Sequence, residues 1–241
     1  NWNDNDDSLP TTIDLGYFGT EMNRTASYFN APKYDPLLGL SWLRRDLNKL
    51  VTGSARGRIV VSSADGSNKQ NIDERCGIDL TSVSISCDDS KLLVSGYSQD
   101  VKVYNLETGQ VMSELRNAHD GYVNISRFCH HSPHILATSS FDKSVKLWDL
   151  RLPLRRGHDD CIYRIQKDTP LILVTFSNDD TYFMTSGVDN AVSQHFVNDG
   201  QHSGDLKLQK MNSAFNYSRA YYSSSSSYVF TGSSEESCVS I

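Results

Sequence analysis

A chain of 241 residues with 38% hydrophobic, 10% aromatic and 22% charged residues can bury a sizeable core, and it does not have a disordered composition. Its formal net charge of −6 speaks against broad nucleic-acid affinity, which needs clustered lysine and arginine. No apolar run approaches the roughly 20 residues of a membrane-spanning helix. No signal peptide is visible, although the chain starts at Asn1 without a methionine.

In chain order, residues 1–34 read as a tail or arm: Asn1 to Ser8 is rich in Asn and Asp, and TIDLGYFG (12–19) suits either a strand or a partner-binding arm. From residue 35 a single plan recurs. Short strands are predicted at LLGLSWL (37–43), TSVSIS (81–86), YVNISRF (122–128), LILVTF (171–176) and NYSRAYY (216–222). Each precedes a strand–turn–strand stretch: LVTGSARGRIVV (50–61), LLVSGYSQDVKVY (92–104), ILATSSFDKSVKLW (135–148), YFMTSGVDNAVSQH (182–195) and YVFTGSSEESCVSI (228–241). These stretches open apolar, pass through small Thr, Ser or Gly, turn at a polar pair and resume alternation, as with Val145 and Leu147 against Lys146 and Trp148. Looser outer strands follow, for example VMSEL (111–115) and CIYRI (161–165), with turn residues such as Asp88-Asp89-Ser90, Ser132-Pro133 and Glu107-Thr108-Gly109 between them. No segment shows sustained helical periodicity, so the chain reads as all-β. Taking Trp148 as reference, the corresponding positions are Ser62, Tyr104, His195 and about Ile241, spaced 42, 44, 47 and 46 residues apart. That spacing is close to the roughly 40–45 residues of a four-stranded propeller blade.

Residues 118–151, AHDGYVNISRFCHHSPHILATSSFDKSVKLWDLR, resemble the repeat of the WD-repeat family closely, and the other four units are degenerate versions of it. The resemblance implies a β-propeller over residues 35–241, in units of about 35–78, 79–117, 118–167, 168–211 and 212–241. Family propellers most often close with seven blades. About five units are visible, so a piece of a longer, seven-bladed parent is expected. Within the third unit, His119, Asp142 and Trp148, with Thr138 or Ser139, look like the family's structural tetrad. A buried Asp needs its charge satisfied, an imidazole N–H and a hydroxyl can do this, and the indole N–H then needs a partner as well. A catalytic hydroxyl–His–Asp relay has the same residue types. It lacks a nucleophile-elbow motif, and no enzyme activity is expected.

Trp148-Asp149-Leu150-Arg151 closes the stretch 135–151, which resembles the box by which WD-repeat substrate receptors of cullin-RING ubiquitin ligases dock on the damaged-DNA-binding adaptor. The resemblance implies a non-catalytic interaction scaffold whose partners are other proteins, with Arg151 reaching the adaptor beside Asp149 and Trp148. An arginine suits that role through its permanent charge and forked donors. The alternatives are a generic assembly scaffold, in which Arg151 only solvates a blade edge, and a phosphoinositide-binding propeller. For the latter, Leu154-Arg155-Arg156-Gly157 resembles the paired-arginine signature, with Arg155 and Arg156 as the phosphate-binding pair.

The remaining polar clusters have plainer readings. Gly157-His158 falls in a loop, because the outer strand follows it. Cys129, His130, His131 and His134 occupy a turn without a second ligand pair at finger spacing, so neither a metal nor any other cofactor is expected. Ser223 to Ser227 form a turn open to phosphorylation. The five cysteines, Cys76, Cys87, Cys129, Cys161 and Cys238, are odd in number and widely spaced, which suggests buried thiols in an intracellular setting, nuclear or cytoplasmic. Cys87 and Cys129 are read as occupying one packing position in successive units.

Overall fold

In a computed structural model, the described residues are 35–153, 160–206, 219–232 and 239–240. They contain strands and turns and no α-helix. The first sheet comprises β1 (Leu37–Trp42), β2 (Lys49–Ser54), β3 (Ile59–Ser63) and β4 (Lys69–Asp73). The second comprises β5 (Leu80–Ile85), β6 (Lys91–Gly96), β7 (Val101–Asn105) and β8 (Val111–Leu115). The third comprises β9 (Val123–Phe128), β10 (Ile135–Ser140), β11 (Ser144–Asp149) and β12 (Tyr163–Gln166). The fourth comprises β13 (Leu171–Phe176), β14 (Tyr182–Gly187), β15 (Val192–Phe196) and β16 (His202–Leu206). The last comprises β17 (Ala220–Tyr222), β18 (Val229–Gly232) and β19 (Val239–Ser240). Each sheet is an antiparallel meander in chain order. No sheet closes on itself. The WD-repeat reading of the fold holds.

The sheets fan in sequence, first strand beside first strand: β1 on β5, β5 on β9, β9 on β13 and β13 on β17. The core is divided accordingly into layers between neighbouring sheets. Val51, Ile59 and Val61 of the first sheet pack with Leu80, Leu92 and Val94 of the second. Leu93, Val101 and Val103 pack with Leu136 and Trp148 of the third. Ala137, Val145 and Leu147 pack with Leu173, Val174 and Phe183 of the fourth. Met184 and Val192 meet Ala220 of the last.

Alternate residues of a central strand point into two different cores, not into a core and solvent. All of β11 is therefore buried, Lys146 included, and its ammonium donates to the Ala118 carbonyl at 2.7 Å. The outer face of β1, by contrast, exposes Leu38, Leu40 and Trp42, and Tyr221 and Phe230 are exposed on the last sheet.

Strand register is repeated from blade to blade. Leu50, Leu92, Leu136 and Phe183 of the second strands face Ser62, Tyr104, Trp148 and His195 of the third strands, the positions expected from spacing; Ile241 lies outside the described residues. A bulge recurs where the first and second strands pair, at Leu37/Gly39, Leu80/Ser82, Ser139/Ser140 and Leu171/Leu173. Register also corrects the cysteine reading. Cys129 N–H donates to Ile135 O, as Ser86 N–H does to Lys91 O, so the counterpart of Cys129 is Ser86. Cys87 lies one residue further on and is only half-buried, as is Cys161, whereas Cys76 and Cys129 are buried; all four are free thiols.

Antiparallel meanders place their turns at two ends. One end of every sheet carries the turns from first to second and from third to fourth strand. The other carries the turn from second to third strand and the links between sheets.

Candidate functional site

The third sheet carries a polar chain at the link end. The Trp148 indole N–H donates to Thr138 Oγ1 at 2.9 Å, and that hydroxyl lies 2.7 Å from His119 Nε2. His119 Nδ1 lies 2.9 Å from Asp142 Oδ2, which also accepts the Asp120 N–H. The consistent assignment has Nδ1–H donating to Asp142 and Nε2 accepting from Thr138. Burial lowers the pKa of His119 and keeps the imidazole neutral. Burial alone would raise the Asp142 carboxyl, but hydrogen bonds from His119, from Ser144 and from the Asp120 N–H outweigh it and hold the group ionised. Lys143, in the turn just after Asp142, adopts a left-handed conformation with φ 68°.

Of the two hydroxyls offered by sequence, Thr138 is the member of this chain, because the Oγ of Ser139 points to the Ile125 carbonyl. Ser144 was missed. It sits 3.1 Å from His119 Nδ1 and donates to Asp142 Oδ1 at 2.6 Å, and its place two residues beyond an Asp in a turn was the available signal. Thr138 and His119 are fully enclosed, so no substrate carbonyl has a path to the hydroxyl.

At the opposite end of the same sheet, the chain leaves β11 into a tight turn. Leu150 N–H donates to His134 O, and Leu152 N–H to Asp149 O. The Asp149 carboxylate accepts the Arg151 backbone N–H at 2.9 Å and grips its guanidinium through Nε at 2.9 Å and Nη2 at 2.7 Å. That hydrogen bonding holds the carboxyl below its ordinary range. The three residues expected to meet a partner therefore separate. The Trp148 side chain has no exposure and Asp149 little, because both are used inside the blade, while the Arg151 side chain is 64% exposed. The corresponding turn positions, matched by the same backbone hydrogen bond, hold Asp65, Glu107 and Asn198. Among the described sheets only the third presents a cation there.

The cluster at 129–134 gathers no metal-ligand set among the described residues. His131 instead faces Asp180 at 3.3 Å, and His130 faces Arg44. Ser226 accepts the Asn178 N–H at 2.6 Å and so ties the last sheet's serine turn to the fourth sheet. The segment 1–34, the pair Arg155 and Arg156, Gly157-His158 and Cys238 lie outside the described residues. No helix is long and apolar enough to cross a membrane among the described residues.

Comparison with known proteins agrees with the geometry. The family described as WD domain, G-beta repeat matches residues 109–149. The chain is also 35% identical over 217 residues, 85% of its length, to Protein DWD HYPERSENSITIVE TO UV-B 1 of Arabidopsis thaliana. The chain belongs to the WD-repeat family. It is similar as well to Cell division cycle protein cdt2 of Schizosaccharomyces pombe, 41% identical over 30% of this chain and 16% of the relative. A third relative is the Poly(A)+ RNA export protein of the same yeast, 37% identical over 35% of this chain and 26% of the relative. The chain spans 27% of the length of the Arabidopsis protein. WD-repeat domains are, as a family, generally scaffolds for protein interaction and not enzymes. The matched repeat, 109–149, straddles two sheets: it takes β8 from the second and β9 to β11 from the third, and so covalently links two neighbouring blades.

Proposed function

We propose that this chain is the WD-repeat portion of an intracellular, non-catalytic scaffold that presents substrates to a cullin-RING ubiquitin ligase, with Arg151 as its anchor on the damaged-DNA-binding adaptor. One observation carries the reading. Arg151 is the exposed cation at a turn position that is acidic or neutral in the neighbouring sheets, and Asp149 fixes it there by a forked ion pair. A pre-oriented guanidinium loses less side-chain entropy on binding than a free one. The stretch 135–151 around it resembles the docking box of such receptors. Trp148 and Asp149 contribute by holding the turn, and His119, Thr138 and Asp142 by stiffening the blade that bears it.

The test is affinity purification of the full-length parent protein from cells, wild type beside Arg151→Ala. The wild type should recover adaptor and cullin peptides, and the variant should lose most of them at equal expression. Asp149→Asn, which loosens the fork but keeps the arginine, should weaken recovery by less. Absence of adaptor and cullin from both purifications would leave a generic scaffold and end the ligase reading.

A further inference from the structure

The first strands of four sheets enclose a cavity of about 230 Å³ at the axis of the fan, opening at the same end as Arg151. Its lining is mainly polar; Val83, Ile85, Phe128 and Phe176 border it from the cores between the sheets, and Arg44 and Arg127 are among its lining residues. Arg127, on β9, is pinned through Nη1 to Ser82 Oγ at 3.0 Å, Val83 O at 2.9 Å and Ser126 O at 3.3 Å. These are neutral acceptors, and burial penalises the charge. Arg44, just past β1, places both terminal nitrogens 3.0 Å from His130 Nδ1. Burial, then the nearby Arg44, keeps His130 neutral, and its ring also hydrogen-bonds the Phe176 carbonyl. Nδ1 is therefore the ring's lone-pair acceptor, and three sheets join in aiming Arg44.

No carboxylate lines this cavity among the described residues. The nearest acidic side chains are on the rim and already engaged. Asp89 accepts the backbone N–H groups of Arg44 and Arg45 at 2.8 and 2.7 Å, and Asp180 accepts those of His130 and His131 at 2.8 and 2.7 Å. Two arginines thus share a confined space with no carboxylate of the described residues lining it, in a chain whose net charge is −6. Such a pair is complementary to an oxyanion.

We propose that this mouth is an oxyanion pocket that receives the carboxylate of an acidic side chain from a segment of a protein partner. Arg44 and Arg127 grip the carboxylate. The volume admits a single side chain and not a folded element. The pocket requires only that a protein segment approach the Arg151 face, and it stands or falls independently of the ligase adaptor.

Fluorescence anisotropy on the full chain tests this with labelled nonapeptides rich in glutamate, in glutamine, and in phosphoserine. The glutamate peptide should bind in low salt and the glutamine peptide should not. Arg44→Ala should weaken binding at least tenfold, and Arg127→Met should abolish it. Arg45→Ala, on the same turn but outside the cavity, should leave binding within twofold. Arg44 is exposed, so its variant carries the test even if Arg127→Met fails to fold, which circular dichroism reports. Equal binding of glutamate and glutamine peptides, no binding of either, or equal losses in Arg44→Ala and Arg45→Ala would overturn the pocket. Binding of the phosphoserine peptide alone would overturn its assignment to a carboxylate.

Discussion

The Thr138 hydroxyl accepts the Trp148 indole N–H and serves His119 Nε2, so replacing it strands two fully buried groups at once. Thr138→Val conserves shape and leaves both without a partner. It should cost about 2–6 kcal/mol in urea unfolding, at roughly 1–3 kcal/mol for each of the two orphaned groups. Ser139→Ala, losing only a long bond to the Ile125 carbonyl, should cost under about 1 kcal/mol. Equal costs would mean that the hydrogen-bonded chain does not hold in solution. The residue types of this chain were legible in sequence because they recur at fixed offsets within one unit. The choice between Thr138 and Ser139 was not, since adjacent residues on a strand face opposite ways and only register against β9 and β11 decides which faces the indole.

At the scale of the strand, one third-strand position shows how degenerate blades differ from the complete one. Trp148 donates to Thr138, and the Tyr104 hydroxyl donates to Asp73 at 2.9 Å. Ser62 Oγ and His195 Nε2 are buried without a partner. A stranded hydroxyl opposes folding, so Ser62→Ala should raise stability by up to about 1 kcal/mol, an unusual sign for a buried truncation. A lower denaturation midpoint in Ser62→Ala would show that Ser62 has a partner in solution. Strand positions were readable from alternation and turn residues. The offset between Cys87 and Cys129 was not, because the connecting turns differ in length by one residue and only the hydrogen bonds of Ser86 and Cys129 reveal the shift.

For the whole molecule, folding places His119 and His195 in different sheets, each kept neutral by burial, with Lys167 adding to the effect at His195. The folded value for His195 is lowered to about 4. An imidazole with a depressed folded pKa contributes stability that is present above its unfolded value of about 6.5 and lost as pH falls. Asp142 adds a second loss, which begins only as pH falls below about 4, the unfolded carboxylate value. The urea midpoint should therefore be flat from about pH 8 to 7, then fall steadily from about 6.5 towards 4. His195→Phe, which keeps a ring stacked on Phe183, should flatten part of that decline. A wild-type midpoint unchanged between pH 7.5 and 4.5 would refute the burial of neutral histidines.

By itself, the sequence determined everything that repeats within about forty residues: strands, turns, the order of the meander and the residue set around Trp148. Alternation and turn chemistry act over a few neighbours, so they are written locally. The tertiary structure alone decided that β11 is buried on both faces and that Arg44, Arg127 and His130 meet at one mouth. Arg127 and His130 lie at the end of β9 and in the turn after it, but Arg44 stands 86 residues away in the chain from His130. Their meeting depends on the angle at which successive sheets stack, which is set by packing summed over all the layers and not by any local pattern.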